Sequence, residues 1–240
     1  MSTAAIIAQS GGFVRHRSGS DSCVADNGFC PNWIWDNLDR YWTPLLEHIY
    51  LVVVSVTMGF AIAFVLGLLA HRQRWLVAPL GGLTSALYTI PSAAMFLLLL
   101  PVTGRGNTTA IIALTAYTQV IIFRNVVNGL ANVPSEIVDA ATGTGMTGRQ
   151  RLFAVEVPLA LPEILAGVRI AAATTVGLAA LAFLAGAGGL GNQLSTSSLI
   201  IFKSNVIVAG GLVTLLAAAL DLLALGVQRW LTPWRRAVAS

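Results

Sequence analysis

The sequence is poor in charged residues. They make up 10% of its 240 residues, against about 25% in an ordinary soluble protein. Hydrophobic residues make up 56%, and the mean hydropathy is +0.77. A soluble domain of this size could not hide so much apolar surface, because most of its surface must face water. The composition therefore excludes a soluble enzyme, a disordered protein and a nucleic-acid-binding protein, and it indicates an integral membrane protein with little material outside the bilayer.

Motifs for catalysis, nucleotide binding and metal binding are also missing. Lys203 is the only lysine and follows Phe202, whereas a Walker A loop needs glycine before its lysine. The zinc-protease and serine-hydrolase patterns H-E-x-x-H and G-x-S-x-G do not occur. The two cysteines, Cys23 and Cys30, lack a zinc-type spacing, and no histidine cluster completes a site. We therefore expect no enzyme activity, no cofactor and no metal site in this chain.

Long apolar runs take up most of the sequence instead. Each is close to the roughly 20 residues that a helix needs to cross a bilayer, and none alternates in the way of a membrane barrel strand. The predicted spans are Ile49–Ala70, Ala78–Pro101, Thr108–Leu130, Ile164–Leu184 and Val206–Val227. Within the second span, Pro91 predicts a kink or break at Ile90–Pro91. The fold class expected is an all-α polytopic membrane protein.

Arginine placement predicts the orientation of these spans. Three arginine clusters follow the first, third and fifth spans, so they lie on one side of the membrane, and basic residues favour the cytoplasmic side. The clusters are Arg72 and Arg74, then Arg149 and Arg151, then Arg229, Arg235 and Arg236. We expect the N-terminus outside and the C-terminus in the cytoplasm. The chain then divides into an extracytoplasmic segment 1–48, a transmembrane domain 49–230 with a cytoplasmic loop 131–163, and a cytoplasmic tail 231–240.

The predicted extracytoplasmic segment carries aromatic residues and both cysteines. Trp33, Trp35 and Trp42 fit an interfacial anchor at the membrane surface or, equally well, packing on other protein. Outside the cytoplasm, Cys23 and Cys30 meet an oxidising environment. That environment favours a disulfide closing a small loop over two free thiols.

The loop 131–163 has the pattern of a helical hairpin. Ser135 could cap a short helix after Pro134. Three glycines would end that helix: Gly143, Gly145 and Gly148. Arg149–Val155 would form a second short helix that ends before Pro158, because the residue before a proline avoids the helical region. A partly apolar hairpin of this kind needs a partner.

The same loop resembles the EAA loop of ABC-importer permeases. Its residues read Asp139-Ala140-Ala141, three residues, Gly145, nine residues, then Val155-Glu156-Val157-Pro158. The family pattern is Glu-Ala-Ala, three residues, Gly, nine residues, Ile-x-Leu-Pro, so the departures at 139, 155 and 157 keep the chemical class. The resemblance implies that a separate ATPase subunit docks on Asp139, Ala140, Ala141, Gly145, Met146, Val155, Val157 and Pro158.

Further segments resemble one subgroup, the osmoprotectant permeases, which import glycine betaine, carnitine, choline and related quaternary amines. They include Thr89-Ile90-Pro91-Ser92, Phe123-Arg124-Asn125, Ala166-Gly167-Val168-Arg169 and the run from Gly186 to Gly191. The resemblance implies the five-helix core of type I ABC importer permeases in a bacterial plasma (inner) membrane. It also implies ATPase subunits that carry ATP and Mg, a second permease subunit, identical or homologous, and an extracytoplasmic substrate-binding protein.

Polar residues inside the spans are costly and are therefore candidates for the translocation pathway or its gate. They are Tyr88, Thr89, Pro91, Ser92, Tyr117, Arg124, Asn125 and Asp221. For Asp221, a structural pair with a cation or a backbone group is an equal alternative. The run Gly186–Asn192 is expected to be a re-entrant turn, because each glycine in a helix costs about 1 kcal/mol relative to alanine.

Two other functions compete with an osmoprotectant importer. The first is the same kind of importer for methionine or another small solute. The second is a secondary transporter or channel, which needs no ATPase; the cytoplasmic hairpin and the lack of a visible inverted repeat argue against it. A membrane-embedded enzyme has no constellation of residues to support it.

Overall fold

The apolar runs form helices in a computed structural model that describes residue 23, residues 28–200 and residues 202–234. Of the predicted segment 1–48, the part before residue 28 lies outside the described residues except for Cys23. Of the predicted tail 231–240, residues 235–240, which include Arg235 and Arg236, also lie outside them. The α-helices are α1 (Pro31–Asp36), α2 (Trp42–Arg72), α3 (Val77–Thr89), α4 (Ser92–Thr103), α5 (Asn107–Ala131), α6 (Ser135–Gly143), α7 (Gly148–Arg151), α8 (Val157–Ala179), α9 (Leu190–Ile200) and α10 (Lys203–Leu231). No strand occurs in this described part of the chain.

Four helical segments are long and apolar enough to cross a membrane. They are Leu38–Arg72, Asn107–Ala131, Gly148–Ala179 and Lys203–Leu231. Helices α3 and α4 form a bent pair that meets at 98°, and counting this pair as one span gives five. The bend lies at Ile90–Pro91, where Ile90 has an extended backbone and Pro91 cannot donate a helix hydrogen bond. The predicted break in the second span is confirmed.

The predicted boundary before Pro158 is wrong. The helix does not end there: α7 continues through a π-helical turn, Leu152–Glu156, directly into α8. A proline inside a helix lacks one N–H, and its ring collides with the preceding turn. The wider π turn relieves that conflict, so one continuous helix runs from Gly148 to Ala179.

Two smaller expectations also need correction. Ser135 is the first residue of α6 and not its cap, because Pro134 occupies the cap position and no side chain caps this end. In the run Gly186–Asn192, only the first four residues form a non-helical turn. Leu190 already begins α9. Within α9, Gly191 packs against the backbone of Ala180, where an added Cβ would lie 2.1 Å from the carbonyl oxygen, so this glycine serves close packing in place of a turn.

Helix α5 forms the centre of the bundle. In its most apolar window 61% of residues are buried, compared with 6% for α10, which lies at the edge. Helices α2 and α8 pack against α5 through glycines that allow close approach. A Cβ on Gly67 would lie 2.4 Å from Val126 Cγ1, and one on Gly167 would lie 2.4 Å from Asn125 Cβ. These contacts fix the spans that carry the candidate site.

The segment before α2 is fastened to the start of α10. A disulfide joins Cys23 and Cys30. The Cys30 N–H donates to Ser204 Oγ over 2.8 Å, and that hydroxyl donates to the Gly28 carbonyl over 3.1 Å. Trp33 packs edge-on against Phe202, with ring centroids 4.7 Å apart. Of the two roles considered for the tryptophans, Trp33 shows packing on protein, whereas Trp35 and Trp42 are largely exposed.

Candidate functional site

The first arm of the hairpin, α6, ends in a glycine cap, and the chain reverses direction there. At the end of α6, the Met146 N–H donates to the Ala141 carbonyl and the Gly145 N–H donates to the Thr142 carbonyl, over 3.3 and 3.0 Å. These two bonds define a Schellman motif, which requires a left-handed residue at the position of Gly145. Gly145 has a φ of +83°, which glycine adopts at little cost. Of the three glycines expected to end the first helix, Gly145 therefore makes the turn, whereas Gly143 is still helical and Gly148 begins the second arm.

The second arm of the hairpin begins with a capping box. The Thr147 N–H donates to Gln150 Oε1 over 2.8 Å, and the Gln150 N–H donates to Thr147 Oγ1 over 3.4 Å. Both bonds satisfy donors that would otherwise have no partner at the start of a helix. The sequence analysis missed this cap, although the T-x-x-Q spacing signals it. The two capped arms make the hairpin a defined surface.

The predicted docking residues fall into an exposed and a partly buried group. Asp139, Ala140, Gly145 and Met146 are exposed, whereas Ala141 is buried. At the base of the hairpin, Val155, Val157 and Pro158 are half-buried. The hairpin also exposes apolar side chains that the motif does not include, namely Ile137 and Phe153, the latter 55% exposed. Phe153 lies among the nine unspecified residues of the motif, so the motif did not predict an exposed apolar side chain at this position.

A buried carboxylate at the base of the hairpin was not predicted. Glu156 is 3% exposed. Its Oε1 lies 2.8 Å from Arg151 Nε, and its Oε2 lies 2.5 Å from His71 Nε2 at the end of α2. Arg151 also donates through Nη1 to Thr142 Oγ1 on α6, over 3.1 Å. The cluster therefore joins α6, α7, the π turn and α2.

Several predicted pathway residues surround the break between α3 and α4. Tyr88 is half-exposed and meets the buried Tyr117 edge-on, with ring centroids 5.8 Å apart. The Tyr117 hydroxyl donates to the carbonyl of Ile90, a group that the break leaves without a helix partner. Thr89 and Pro91 are exposed beside it, and Ser92 is half-buried. The structure thus brings these five candidate residues together on one broken helix and its neighbour α5.

The other pathway candidates lie apart from the break. Arg124 donates through Nη2 to Ser85 Oγ on α3 over 2.9 Å. Asn125 donates to the Ile121 carbonyl over 2.8 Å and packs against Gly167, so it takes part in the contact between α5 and α8.

Asp221 pairs with an arginine on a neighbouring span. Both carboxylate oxygens accept from Arg169 on α8, with 2.9 Å between Nη2 and Oδ2. Each side chain is about one-third exposed. The pair lines an open cavity of about 380 Å³, together with Ala166, Ile170, Ala173 and Thr174. Asp221 therefore forms the pair with a cation that the sequence offered as one alternative, and it also lines a cavity.

Metal-binding clusters are absent from the residues that the structure describes. No group of three or more histidine, cysteine, aspartate or glutamate side chains there is close enough to hold an ion.

Comparisons with known proteins agree with this architecture. Residues 55–237 match the family described as "Binding-protein-dependent transport system inner membrane component". The osmoprotectant import permease protein OsmW of Salmonella typhimurium is 36% identical over 212 residues, which cover 84% of this chain and 96% of OsmW. The glycine betaine/carnitine/choline permease protein OpuCB and the choline permease protein OpuBB of Bacillus subtilis are each 33% identical, covering 78% of this chain and 86% of the relative.

Solved structures show the same fold. A chain of the MetNI methionine ABC transporter in an inward-facing conformation superposes with a TM-score of 0.74 at 23% identity, covering 85% of this chain and 100% of that chain. A chain of an amino acid ABC transporter gives a TM-score of 0.70 at 16% identity, covering 82% and 97%. The fold is therefore that of an ABC importer permease.

The matches and the membrane-spanning helices establish the class of protein, a multi-pass membrane component of a transport system. The chain belongs to the family of binding-protein-dependent transport system inner membrane components. The predicted resemblance to ABC-importer permeases of the osmoprotectant group is confirmed. The comparisons favour the function of an importer permease over that of a secondary transporter or channel.

Proposed function

We propose that this chain is the permease subunit of an ATP-driven importer of osmoprotectants such as glycine betaine, choline or carnitine. The observation that carries the proposal is the hairpin, which is capped on both arms and exposes Asp139, Ala140 and Gly145. An exposed, partly apolar surface held in one shape is suited to bind another protein. The substrate class follows from the relatives, whose names specify osmoprotectants, glycine betaine, carnitine and choline.

The partner proposed for the hairpin is an ATPase subunit. Small side chains at Ala140 and Gly145 allow another backbone to approach, and the Asp139 carboxylate offers a charge to an arginine or lysine. ATP and Mg belong to that subunit, so the present chain supplies movement and not hydrolysis. Because the hairpin is continuous with α8 through the π turn, movement of the docked ATPase is passed directly to a span.

The remaining parts of the machine follow from the same proposal. A second permease subunit, identical or homologous, completes the pathway, and a binding protein delivers the substrate from outside. The hairpin within 131–163 and the tail 231–240 face the cytoplasm, the segment 1–48 faces outside, and 49–230 forms the permease domain. ATP binding turns the pathway from inward-facing to outward-facing, and hydrolysis resets it.

The pathway itself is proposed to pass the break between α3 and α4. Tyr88, with an exposed ring resting on Tyr117, offers an aromatic face to a quaternary ammonium group. Thr89, Pro91 and Ser92 add exposed or half-exposed groups at the same place. The pair of Arg169 and Asp221 lies on α8 and α10, and it stabilises their contact within the membrane.

Transport in liposomes tests the function. The permease would be reconstituted together with its ATPase subunit, its binding protein and any second permease. We expect ATP-dependent uptake of glycine betaine, choline or carnitine that needs the binding protein. Uptake of methionine in place of all three would contradict the substrate class. Uptake without any ATPase subunit would contradict the ABC importer assignment.

A further inference from the structure

We propose that Glu156 is a positioning residue that connects the hairpin to the first span, so that movement of the hairpin reaches α2 as well as α8. This inference rests on the proposed coupling function. The hairpin is joined through the chain only to α5 and α8. Helix α2 has no chain connection to the hairpin. The side-chain contact between Glu156 and His71 joins the two directly.

The carboxylate occupies a place where an unpaired charge would be costly. Glu156 is 3% exposed, whereas the side chains of Arg151 and His71 are about one-third exposed. A buried carboxylate persists only when hydrogen-bonded groups compensate for the lost water. Each oxygen has its own partner, Oε1 with Arg151 and Oε2 with His71. The residue therefore holds two elements at once.

The π turn makes this arrangement possible. Residues five apart on an α-helix point about 140° away from each other, because each residue turns the helix by about 100°. Here the Val157 N–H donates to the Leu152 carbonyl, a bond between residues five apart. In that wider turn, residues five apart lie one above the other on the same side of the helix. Arg151 and Glu156 are five apart, so their side chains can meet. The bond between them spans the turn and fixes the direction in which the hairpin leaves α8.

Arg151 extends the connection to the other arm of the hairpin. Its Nη1 donates to Thr142 Oγ1 on α6, while its Nε donates to Glu156. Both arms are thereby tied to one carboxylate, and the carboxylate is tied to α2. The hairpin and the end of the first span then move together. Without the connection, a docked ATPase would still bind the exposed surface but would move α2 less.

Paired substitutions at His71 separate this role from a structural one. The contact uses Nε2, so His71→Gln retains a donor at the same reach, whereas His71→Asn places its donor too far back. Both variants leave the residues of the exposed docking surface, and the bond between Arg151 and Glu156 Oε1, unaltered. Glu156→Gln removes the charge at nearly constant volume. Glu163→Gln is the matched control, since Glu163 lies on α8 and, among the described residues, accepts from the Asn132 side chain over 3.0 Å and not from His71 or Arg151.

The measurements are ATPase copurification and ATP hydrolysis stimulated by binding protein and substrate, in liposomes. We expect full copurification for all variants. Stimulated kcat should fall roughly fivefold to tenfold in His71→Asn and Glu156→Gln, with KM for ATP unchanged, and should stay within about twofold of the unmodified protein in His71→Gln and Glu163→Gln. The double variant His71→Asn/Glu156→Gln should be no more impaired than Glu156→Gln alone, because His71→Asn removes a contact that Glu156→Gln has already weakened.

Equal stimulation in all four single variants would overturn the inference. It would also be overturned if stimulation fell only in proportion to the amount of assembled complex, since that result marks a purely structural role. If the unmodified permease neither retained the ATPase nor stimulated it, the proposed function would fail, and this inference with it.

Discussion

Two loop regions lie near opposite ends of α2, and they are built in contrasting ways. The hairpin, which connects α5 to α8 and lies near the end of α2, exposes most of its side chains. The glycine-rich turn near the start of α2 is closed by the chain's own groups: the Gly189 N–H donates to the Glu47 carboxylate over 2.9 Å, and the Gly188 N–H donates to Asn107 Oδ1 over 3.3 Å. One connection exposes a surface, on which we propose that a partner docks, and the other uses its polar groups internally.

Glycines show the same difference. Gly145 is required by its backbone conformation, with a φ of +83°, and a Cβ there would meet nothing within 4 Å. Gly191, which follows the glycine-rich turn, is required by close packing, since a Cβ would lie 2.1 Å from the Ala180 carbonyl oxygen. Substitutions at the two connections should therefore fail differently, by loss of partner coupling at the hairpin and by loss of the fold at the turn.

Labelling provides the largest expected contrast between the two connections. In a variant without native cysteines, a single cysteine at exposed Gln150 should be shielded from a membrane-impermeant thiol reagent in intact cells, whereas one at exposed Thr108 should react. The measurement is the labelled fraction before and after the membrane is opened. The reverse pattern would place the hairpin outside the cell and remove the basis for ATPase docking.

Gly191→Ala should destabilise the fold. The added methyl group meets the backbone of Ala180, which cannot turn aside as a side chain can, so overpacking should cost about 1–3 kcal/mol. We expect a lower thermal midpoint and a lower yield of folded protein in detergent. Gly177→Ala is the control, because a Cβ there meets nothing within 4 Å and alanine favours a helix. Equal midpoints for both variants would argue against tight packing at the turn.

Gly145→Val should spare the fold and weaken coupling. A branched side chain at this positive φ strains the Schellman motif, at about 1–3 kcal/mol, but the spans do not depend on it. The variant should insert and melt like the unmodified protein in detergent. It should lose ATPase copurification, or keep it while losing substrate-stimulated hydrolysis. Unchanged coupling would mean that the shape of this turn is not needed for docking.

Loss of the disulfide should have the smallest effect on transport. Closing so short a loop stabilises a protein by about 2 kcal/mol in the chain-entropy view, and the segment lies before the part of the chain that matches the family, residues 55–237. Cys23→Ser/Cys30→Ser should therefore transport normally and be cleaved faster by protease near residue 28. Lost transport would show that this segment takes part in the import cycle.

Local chemistry predicted a large share of this molecule. The break at Ile90–Pro91 and the turn at Gly145 follow from the backbone limits of proline and glycine, which act within a few residues. The helix through Pro158 was missed for the opposite reason: a local rule predicted an end, and a π turn absorbed the conflict. Local rules set where the chain can turn, but they do not always decide whether it does.

The cluster around Glu156 could not be predicted from the sequence. Glu156 occupies the unspecified position of the motif, and His71 lies 85 residues earlier. Their contact depends on how α2 packs against α8, which hydrophobic runs of uniform character do not specify. Arg151 was interpreted only as a marker of orientation, and its two hydrogen bonds give it a structural role as well.

Charge reversal at Asp139 is the most direct test that the hairpin transmits ATP hydrolysis to the spans. Asp139 is exposed, so Asp139→Lys should leave the fold intact and Asp139→Glu should preserve the charge. The measurement is ATP hydrolysis stimulated by binding protein and substrate in liposomes, with ATPase copurification in parallel. The account predicts loss of coupling in Asp139→Lys and normal coupling in Asp139→Glu. Normal coupling in both Asp139→Lys and Gly145→Val would contradict it.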